Sequence, residues 1–483
     1  MNFRMILKSL GMVLLIEAAC MVPSLVVSLI YGQNDTQAFL ISILILLAVG
    51  LFLQRIKPKT TDIYARDGFA IVSLAWIFLS LFGTMPFIIS GSIPSFVDAL
   101  FETTSGFSTT GASILTEVEN LPKGILFWRS FTHWVGGMGV LVLMLAIVPS
   151  VKANTIHILQ AESPGPNPGK LVPKMGQTVK ILYLIYFVLT SVLVVFLLLA
   201  GMPLYDSLVH AFGTAGTGGF SIRNAGIGSY GSVTIDVIIT VFMLLFGVNF
   251  SLYYQSIKGD LKSSLRDAEF RFYLGIVLTS IVLITLNIYG SVFDSLLESL
   301  RHSAFQVSSI ITTTGYATTD FNLWPSFSKS ILVLLMFIGA SAGSTGGGIK
   351  CMRIVLLIKA ARREIVRIIH PRSVYAVKLG GKVVDEETLS GVIMFFFTYI
   401  FIFVISVLIV SLDGKDLISN FTAVTSSISN IGPGLGIVGP MGNFSEYSIL
   451  SKLVFSFCML AGRLEIFPVL LLLAPTSWKR VNI

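Results

Sequence analysis

The sequence predicts an all-α polytopic membrane protein, built from four pseudo-symmetric helix–half-helix–helix repeats with a two-helix hairpin ahead of them. Three observations carry that expectation. A chain of 483 residues that is 54% hydrophobic and 12% charged, with a mean hydropathy of +0.85, has too few polar side chains to coat a soluble surface. Apolar stretches long enough to cross hydrocarbon recur along its whole length. Four times such a stretch gives way to a short Asp-led segment and a polar, glycine-bearing turn before the next one begins. The turns read Ser108-Thr109-Thr110-Gly111, Gly216-Thr217-Gly218-Gly219, Thr312-Thr313-Thr314-Gly315 and Ser429-Asn430-Ile431-Gly432, their glycines 108, 96 and 117 residues apart. One unit has been used four times.

Taken in order, the apolar spans cover 6–31, 37–54, 68–91, 125–149, 179–201, 232–255, 272–291, 328–358, 389–412 and 447–474, which predicts ten crossings. The first carries Glu17 and is longer than a secretory apolar core, so it reads as a retained helix. With the second it forms a hairpin, residues 1–60, joined by the polar link Gly32 to Thr36. The repeats then occupy 61–151, 152–258, 259–372 and 373–483. Within them the segments starting at Asp98, Asp206, Asp294 and Asp416 are too short to span, and Asp is a good helix N-cap. They read as re-entrant half-helices stopping at mid-membrane, where irregular backbone is tolerable only if protein buries it or it lines a wet cavity.

Most of the 33 Lys and Arg residues fall in the amino terminus, 55–66, 152–180, 258–271, 350–382 and the carboxy terminus. If every span crosses, all six segments share one side and the four turns share the other, which predicts cytoplasmic termini and outward turns. The net charge of +8 therefore points to a membrane surface rather than to nucleic acid. Cys20, Cys351 and Cys458 are isolated, which supports neither a disulfide framework nor a metal cluster.

Four hydroxyl- and glycine-rich turns closed about an axis would form a ring of backbone carbonyls able to dehydrate a cation, as in a potassium-channel-like pore. Glycine permits the required dihedrals, and the negative ends of the half-helices point at the ion. The competing reading is that small residues only let helices pack closely. Against it, Phe101 and Phe305 each stand ten residues before the turn glycine, so the match is in spacing as well as composition.

The eighth span contains Gly339 and then Gly343-Ser344-Thr345-Gly346-Gly347-Gly348-Ile349-Lys350. Glycine costs roughly 1 kcal/mol relative to alanine inside a helix, so the span should break here. Ile349 stands where a phosphate-binding loop needs Lys, and no strand precedes it, which excludes a nucleotide site. A flexible loop under the turns is the functional reading and close packing the bland one. Arg463, near the middle of the last span, needs water or a partner. Glu465, two residues on, is on a different helix face, so Glu17 or another helix's acid is the alternative partner. Glu102 reads equally as a cation attractor at the mouth or as a solvated acid, and His133, His210 and His302 read as structural. The basic run Lys359, Arg362, Arg363, Arg367 and Arg372 reads as an anchor at lipid headgroups, and the broken loop Ser163 to Gly169 as part of the same surface.

The four turns, the interruption at Gly339 to Gly348 and Leu460-Ala461-Gly462-Arg463-Leu464-Glu465 together resemble the Trk/Ktr/HKT superfamily of cation transporters over the whole chain. The amino-terminal hairpin favours the Trk branch over the Ktr branch. The resemblance implies a bacterial inner-membrane potassium-translocating subunit. Its filter would be Thr109, Thr110, Gly111, Thr217, Gly218, Gly219, Thr313, Thr314, Gly315, Asn430, Ile431 and Gly432, and its gate Gly343, Gly346, Gly347, Gly348 and Arg463. Glycine in all four turns goes with potassium selectivity in that family, and the fourth turn departs from Thr-x-Gly. The resemblance further implies a homodimer with separate pores and a soluble ring, TrkA, as the only nucleotide-binding partner. Two other classes stand beside this one. A proton- or sodium-coupled secondary potassium symporter also uses broken helices, but the repeats here share one orientation and lack a chain of buried carboxylates. A membrane enzyme would need a nucleophile–base pair or metal cluster, and the sequence offers neither.

Overall fold

The computed structural model describes residues 1–58, 65–139, 175–372 and 375–478. The end of the fourth predicted span and the loop Ser163 to Gly169 lie outside the described residues.

The hairpin helices Phe3–Tyr31 and Thr36–Gln54 turn at Gly32, which takes φ 60° and returns its N–H to Leu29 and Ser28. The two helices approach closely at a glycine pair, where a Cβ on Gly11 would come 2.9 Å from the Gly50 carbonyl oxygen. The polar link does more than join them. The buried Asp35 carboxylate accepts the Ile125 N–H at 3.1 Å and the Gln33 side-chain oxygen accepts the Lys123 N–H at 2.6 Å. The hairpin tip thereby caps a helix of the first repeat, Lys123–Gly137, whose own N-cap is Pro122 and makes no side-chain bond.

Each repeat holds a first helix, a half-helix and a second helix. The first helices are Ala65–Phe82, Met175–Leu199, Ala268–Ile288 and Glu386–Val410. The half-helices are Phe96–Phe107, Leu204–Gly216, Leu296–Ile311 and Leu417–Ser429. Asp416 caps the fourth, and its bonds from the Ser419 side chain and amide hold the carboxyl below the usual carboxylate range. The other three do not start at Asp as expected. Asp98 and Asp206 lie in the first turn, behind Ser95 and Pro203, and Asp294 precedes the cap Ser295. An acid in the first turn still faces the positive helix end, so the sequence signal survives with its register shifted.

Among the described residues, not all of the ten predicted crossings are single unbroken helices. Among the described residues six helices are long and apolar enough to span, or up to seven if one bent pair counts. The shortfall lies in the second helices. Lys123–Gly137, Ser326–Ile338 and Ile449–Arg463 are too short, and Val233–Phe246 bends by 91° into Phe250–Ile257. The break that the sequence predicts in the third repeat has counterparts in two others. Gly247 to Asn249 interrupts the second repeat, and Leu464 to Ile466 the fourth, with Glu465 at φ 56° and Ile466 at φ 64°. Apolar composition hides such breaks, because Leu464 and Ile466 read as helix formers until packing forces them out of it.

Polarity runs inside out. Thr109, Thr110, Thr217, Thr313, Thr314 and Asn430 are fully buried, while Phe397, Phe401 and Leu408 on the fourth repeat's first helix are about two-thirds exposed. Apolar side chains face lipid and hydroxyls line the interior, the inverse of a soluble fold. A ribbon pairing Lys378–Leu379 with Lys382–Val383 precedes the fourth repeat's first helix.

Candidate functional site

All four half-helices end by the same device. Thr109, Thr217, Thr313 and Asn430 take left-handed dihedrals, φ 54–58°, and the glycine two positions on takes φ 79°, 73°, 83° and 101° in chain order. The intervening N–H turns back onto its helix: Thr110 to Ser105, Gly218 to Gly213, Thr314 to Ser309 and Ile431 to Ser426, at 2.8–2.9 Å. These bonds satisfy the helix carboxy ends, and the carbonyls of Thr110, Gly218, Thr314 and Ile431 accept no hydrogen bond among the described residues. A β-branched residue in the left-handed region is costly, and three threonines hold it because the surrounding packing over-determines them.

The turns close into a ring in chain order. A Cβ on Gly111 would come 1.8 Å from the Gly218 oxygen, one on Gly219 1.9 Å from Thr314, one on Gly315 2.1 Å from Ile431, and one on Gly432 2.8 Å from Thr110. Each glycine thus lies against the free carbonyl of the next repeat, and the fourth returns to the first. Outside the ring the loops join in the same order, through Val118 N–H to Asn224, Gly228 N–H to Ala317, Gly436 N–H to Asn322 and Phe444 N–H to Ser113. The fourth turn's departure in sequence keeps the left-handed residue at position 430, because asparagine accepts that region readily, while Gly432 opens to φ 101° and its junction is the widest of the four. Its Nδ2 donates to Thr110 Oγ1 at 3.0 Å and to the Met459 carbonyl at 2.8 Å, which ties repeat four to repeat one.

Behind the ring stand braces that sequence reading missed. Glu102 is buried, not at a mouth: it pairs with Arg129 at 2.5 Å and accepts Ser113 Oγ and the Ile114 N–H. Arg129 also donates to the Ser221 carbonyl and lies 3.6 Å over the Phe220 ring, so it links the first and second turns. A lone Arg in an apolar span was the available signal, since such a residue must be paired. His133 bonds the Gly106 carbonyl at 2.8 Å and accepts the Phe220 N–H, a structural brace as expected. Tyr316 bonds the His210 and Phe220 carbonyls.

Directly beneath lies the segment 339–350. Its stem pairs Ile349, Lys350 and Cys351 N–H with the carbonyls of Phe337, Ile338 and Ala340. Its tip meets the ring: the Gly347 N–H donates to Thr313 Oγ1 at 2.6 Å, and a Cβ on Gly347 would fall 2.2 Å from the Ser429 oxygen. Gly343 and Gly348 take φ 70° and 77°. The loop also docks into the break of repeat two, through Ser341 N–H to Gly247 and Phe250 N–H to Gly343. Lys350 curls back onto the Gly346 carbonyl.

Arg463 reaches this loop. Its guanidinium donates to the Thr345 carbonyl at 2.8 Å and, on the other side, to Gly136 and Gly137 at 2.6 and 2.8 Å. Thr345 belongs to the loop, and the two glycines end the first repeat's second helix, whose negative end favours a cation. Glu17 is not its partner, since neither of that carboxylate's oxygens has a hydrogen bond among the described residues. Glu465 instead pairs with Arg353 below the loop.

A further residue holding the loop is Glu269, which carries no motif signal. Its buried Oε1 accepts the Ala342 N–H at 2.7 Å and the Met352 N–H at 2.9 Å, so one oxygen fastens both ends of the loop to the third repeat's first helix. Replacing Glu269 with Ala is expected to free the loop, read as at least about a five-fold faster thiol modification of a cysteine placed at Ser344, with Glu269→Gln restoring most of the protection because an acceptor oxygen remains. Equal rates in all three proteins would dismiss the role.

Comparison with known proteins accords with this architecture. Residues 32–480 match the family model TrkH, cation transport protein. The chain is 39% identical over 484 residues to the Trk system potassium uptake protein TrkH of Salmonella typhimurium, covering 99% of this chain and 100% of that protein. It is 34% identical to Trk system potassium uptake protein TrkG of Escherichia coli K12, covering 99% of each. The crystal structure of the potassium transporter TrkH from Vibrio parahaemolyticus superposes with a TM-score of 0.90 at 36% identity, covering 99% of this chain and 100% of that chain. With the family model and relatives spanning nearly the whole chain, the protein belongs to the TrkH family of cation transport proteins.

Proposed function

We propose that this protein is the potassium-translocating subunit of a Trk-type uptake system, passing the ion through the ring of four turns. The observation that carries this reading is the closed order of the ring, in which each turn glycine abuts the free carbonyl of the next repeat. Four equivalent sets of carbonyls, with half-helix carboxy ends behind them, replace the hydration shell of a monovalent cation at uniform range. Thr109 to Gly111, Thr217 to Gly219, Thr313 to Gly315 and Asn430 to Gly432 are the filter, and Gly343, Gly346, Gly347, Gly348 and Arg463 form the gate beneath it. The loop blocks the path sterically, and the guanidinium raises the electrostatic barrier to a cation passing it.

The distribution of basic segments supports a bacterial cytoplasmic membrane location with both termini inside. The helix Cys351–Ile369, with Lys359, Arg362, Arg363 and Arg367, continues from the loop, so a soluble nucleotide-binding ring of the TrkA kind docking there could pull the gate. We assign the functional unit as a homodimer with one pore per chain.

The test is cation flux through the purified protein in vesicles across lithium, sodium, potassium, rubidium and caesium. Potassium and rubidium should pass well ahead of sodium, with a reversal potential that follows the potassium gradient and ignores an imposed pH gradient. A reversal potential that moves with pH would replace channel-like flow by proton coupling.

A further inference from the structure

Where the second helix of repeat two, Val233–Phe246, passes the half-helix of repeat three, Leu296–Ile311, a crevice of about 660 Å³ opens on the outside of the bundle. Its walls are Val233, Val237, Val241, Leu297 and Leu300, all well exposed and thus facing hydrocarbon in a membrane-spanning chain. Arg301 stands in this wall.

The guanidinium there is under-satisfied. Its Nη2 donates to His302 Nε2 at 3.0 Å, and that histidine is fixed by Thr318 Oγ1 at 2.9 Å and by stacking on Phe293. The two acids beside it stand beyond hydrogen-bond length, Asp236 at 3.7 Å from Nε and Glu298 at 4.0 Å from Nη2. The Nε is buried, without a hydrogen-bond partner and out of reach of an outside group, whereas Nη1 makes no hydrogen bond among the described residues on a side chain that is 25% exposed. A guanidinium offers five N–H donors, and leaving several unmet beside hydrocarbon is expensive, so the site calls for an acceptor from outside the chain.

In a bilayer the acceptor at such a wall is a lipid phosphate, whose oxygens suit the planar fork of arginine. The neighbouring charges narrow the headgroup. One guanidinium beside two carboxylates disfavours a purely anionic lipid and suits a headgroup that carries a phosphate and a primary ammonium. Glu298, with a side chain 45% exposed, is placed to take the ammonium.

We propose that this crevice is a phospholipid site, in which Arg301 holds the phosphate, Glu298 the ammonium of an ethanolamine headgroup, and the Val233, Val237 and Val241 stripe an acyl chain. The occupant would brace the half-helix that carries Thr313 to Gly315. The site stands whether or not the chain conducts potassium, because its test reads lipid and not flux.

The experiment is native mass spectrometry of the full-length protein after reconstitution with phosphatidylethanolamine and phosphatidylglycerol, followed by detergent delipidation. About one phosphatidylethanolamine per chain should resist removal, and retention should fall at least about five-fold in Arg301→Gln. Val237→Trp fills the crevice from an exposed position without disturbing Arg301, and should reduce retention equally. Retention unchanged in both variants, or no retained lipid in the wild type, overturns the site. Preferential retention of phosphatidylglycerol overturns the headgroup assignment. A Val237→Trp variant that breaks a dimer with no change in lipid gives the crevice to a second copy and sinks the proposal.

Discussion

Alanine at Gly111, Gly219 or Gly315 is expected to lower potassium flux at least about ten-fold, with a smaller loss at Gly432, because each substitution forces a strained backbone and a clash at once. The first three positions place a new Cβ 1.8–2.1 Å from the neighbouring turn's carbonyl oxygen, far inside any contact that packing tolerates, whereas at Gly432 the gap is 2.8 Å. The neighbouring carbonyl must turn away or the ring must widen. Either change spoils uniform coordination of a dehydrated ion. Gly432 keeps its penalty because φ is 101°, yet its neighbour needs only a modest shift. Gly111→Ser adds a hydroxyl at the tightest junction, and its potassium-over-sodium preference should fall. Rubidium flux and the bi-ionic reversal potential, measured in vesicles, read both effects. Equal damage at all four glycines would contradict the graded ring, and unchanged selectivity in Gly111→Ser would remove the filter assignment.

Arg463→Ala should raise flux in the absence of any partner, by about ten-fold if the lost charge and hydrogen bonds lower the barrier by about 1.4 kcal/mol. The side chain joins the Thr345 carbonyl to those of Gly136 and Gly137, so its removal releases the loop and takes a positive charge from the path together. Arg463→Lys should fall between, since an ammonium keeps the charge but cannot fork to both sides. Deleting Gly346 to Gly348 should raise flux by a separate route, by removing the Gly347 bond to Thr313 and drawing the tip away from the ring. Flux untouched by both Arg463→Ala and the deletion would end the gate model.

Much of this was legible along the chain. Periodic apolar spans, the fourfold recurrence of the turns and the glycine run at Gly343 to Gly348 are local features, and local features survive in a sequence. The second-helix breaks were less legible. In repeat two Gly247 and Asn249 offered a weak signal, but in repeat four Glu465 and Ile466 take left-handed dihedrals that no propensity favours. Glu102 was misread because an acid near a pore mouth and an acid buried against Arg129 look alike until the partner, 27 residues away, is seen beside it.

By itself the sequence determined the class of the protein, its four repeats and which turns carry glycine, because hydropathy and glycine's conformational freedom act over a few residues. Only the tertiary structure decided that the turns close in cyclic order, that Asn430 takes the left-handed dihedrals threonine takes in the other turns, and that Glu269 and Arg463 both hold the loop. Those facts depend on contacts between residues tens to hundreds of positions apart, and such contacts leave no periodicity in a single chain to read.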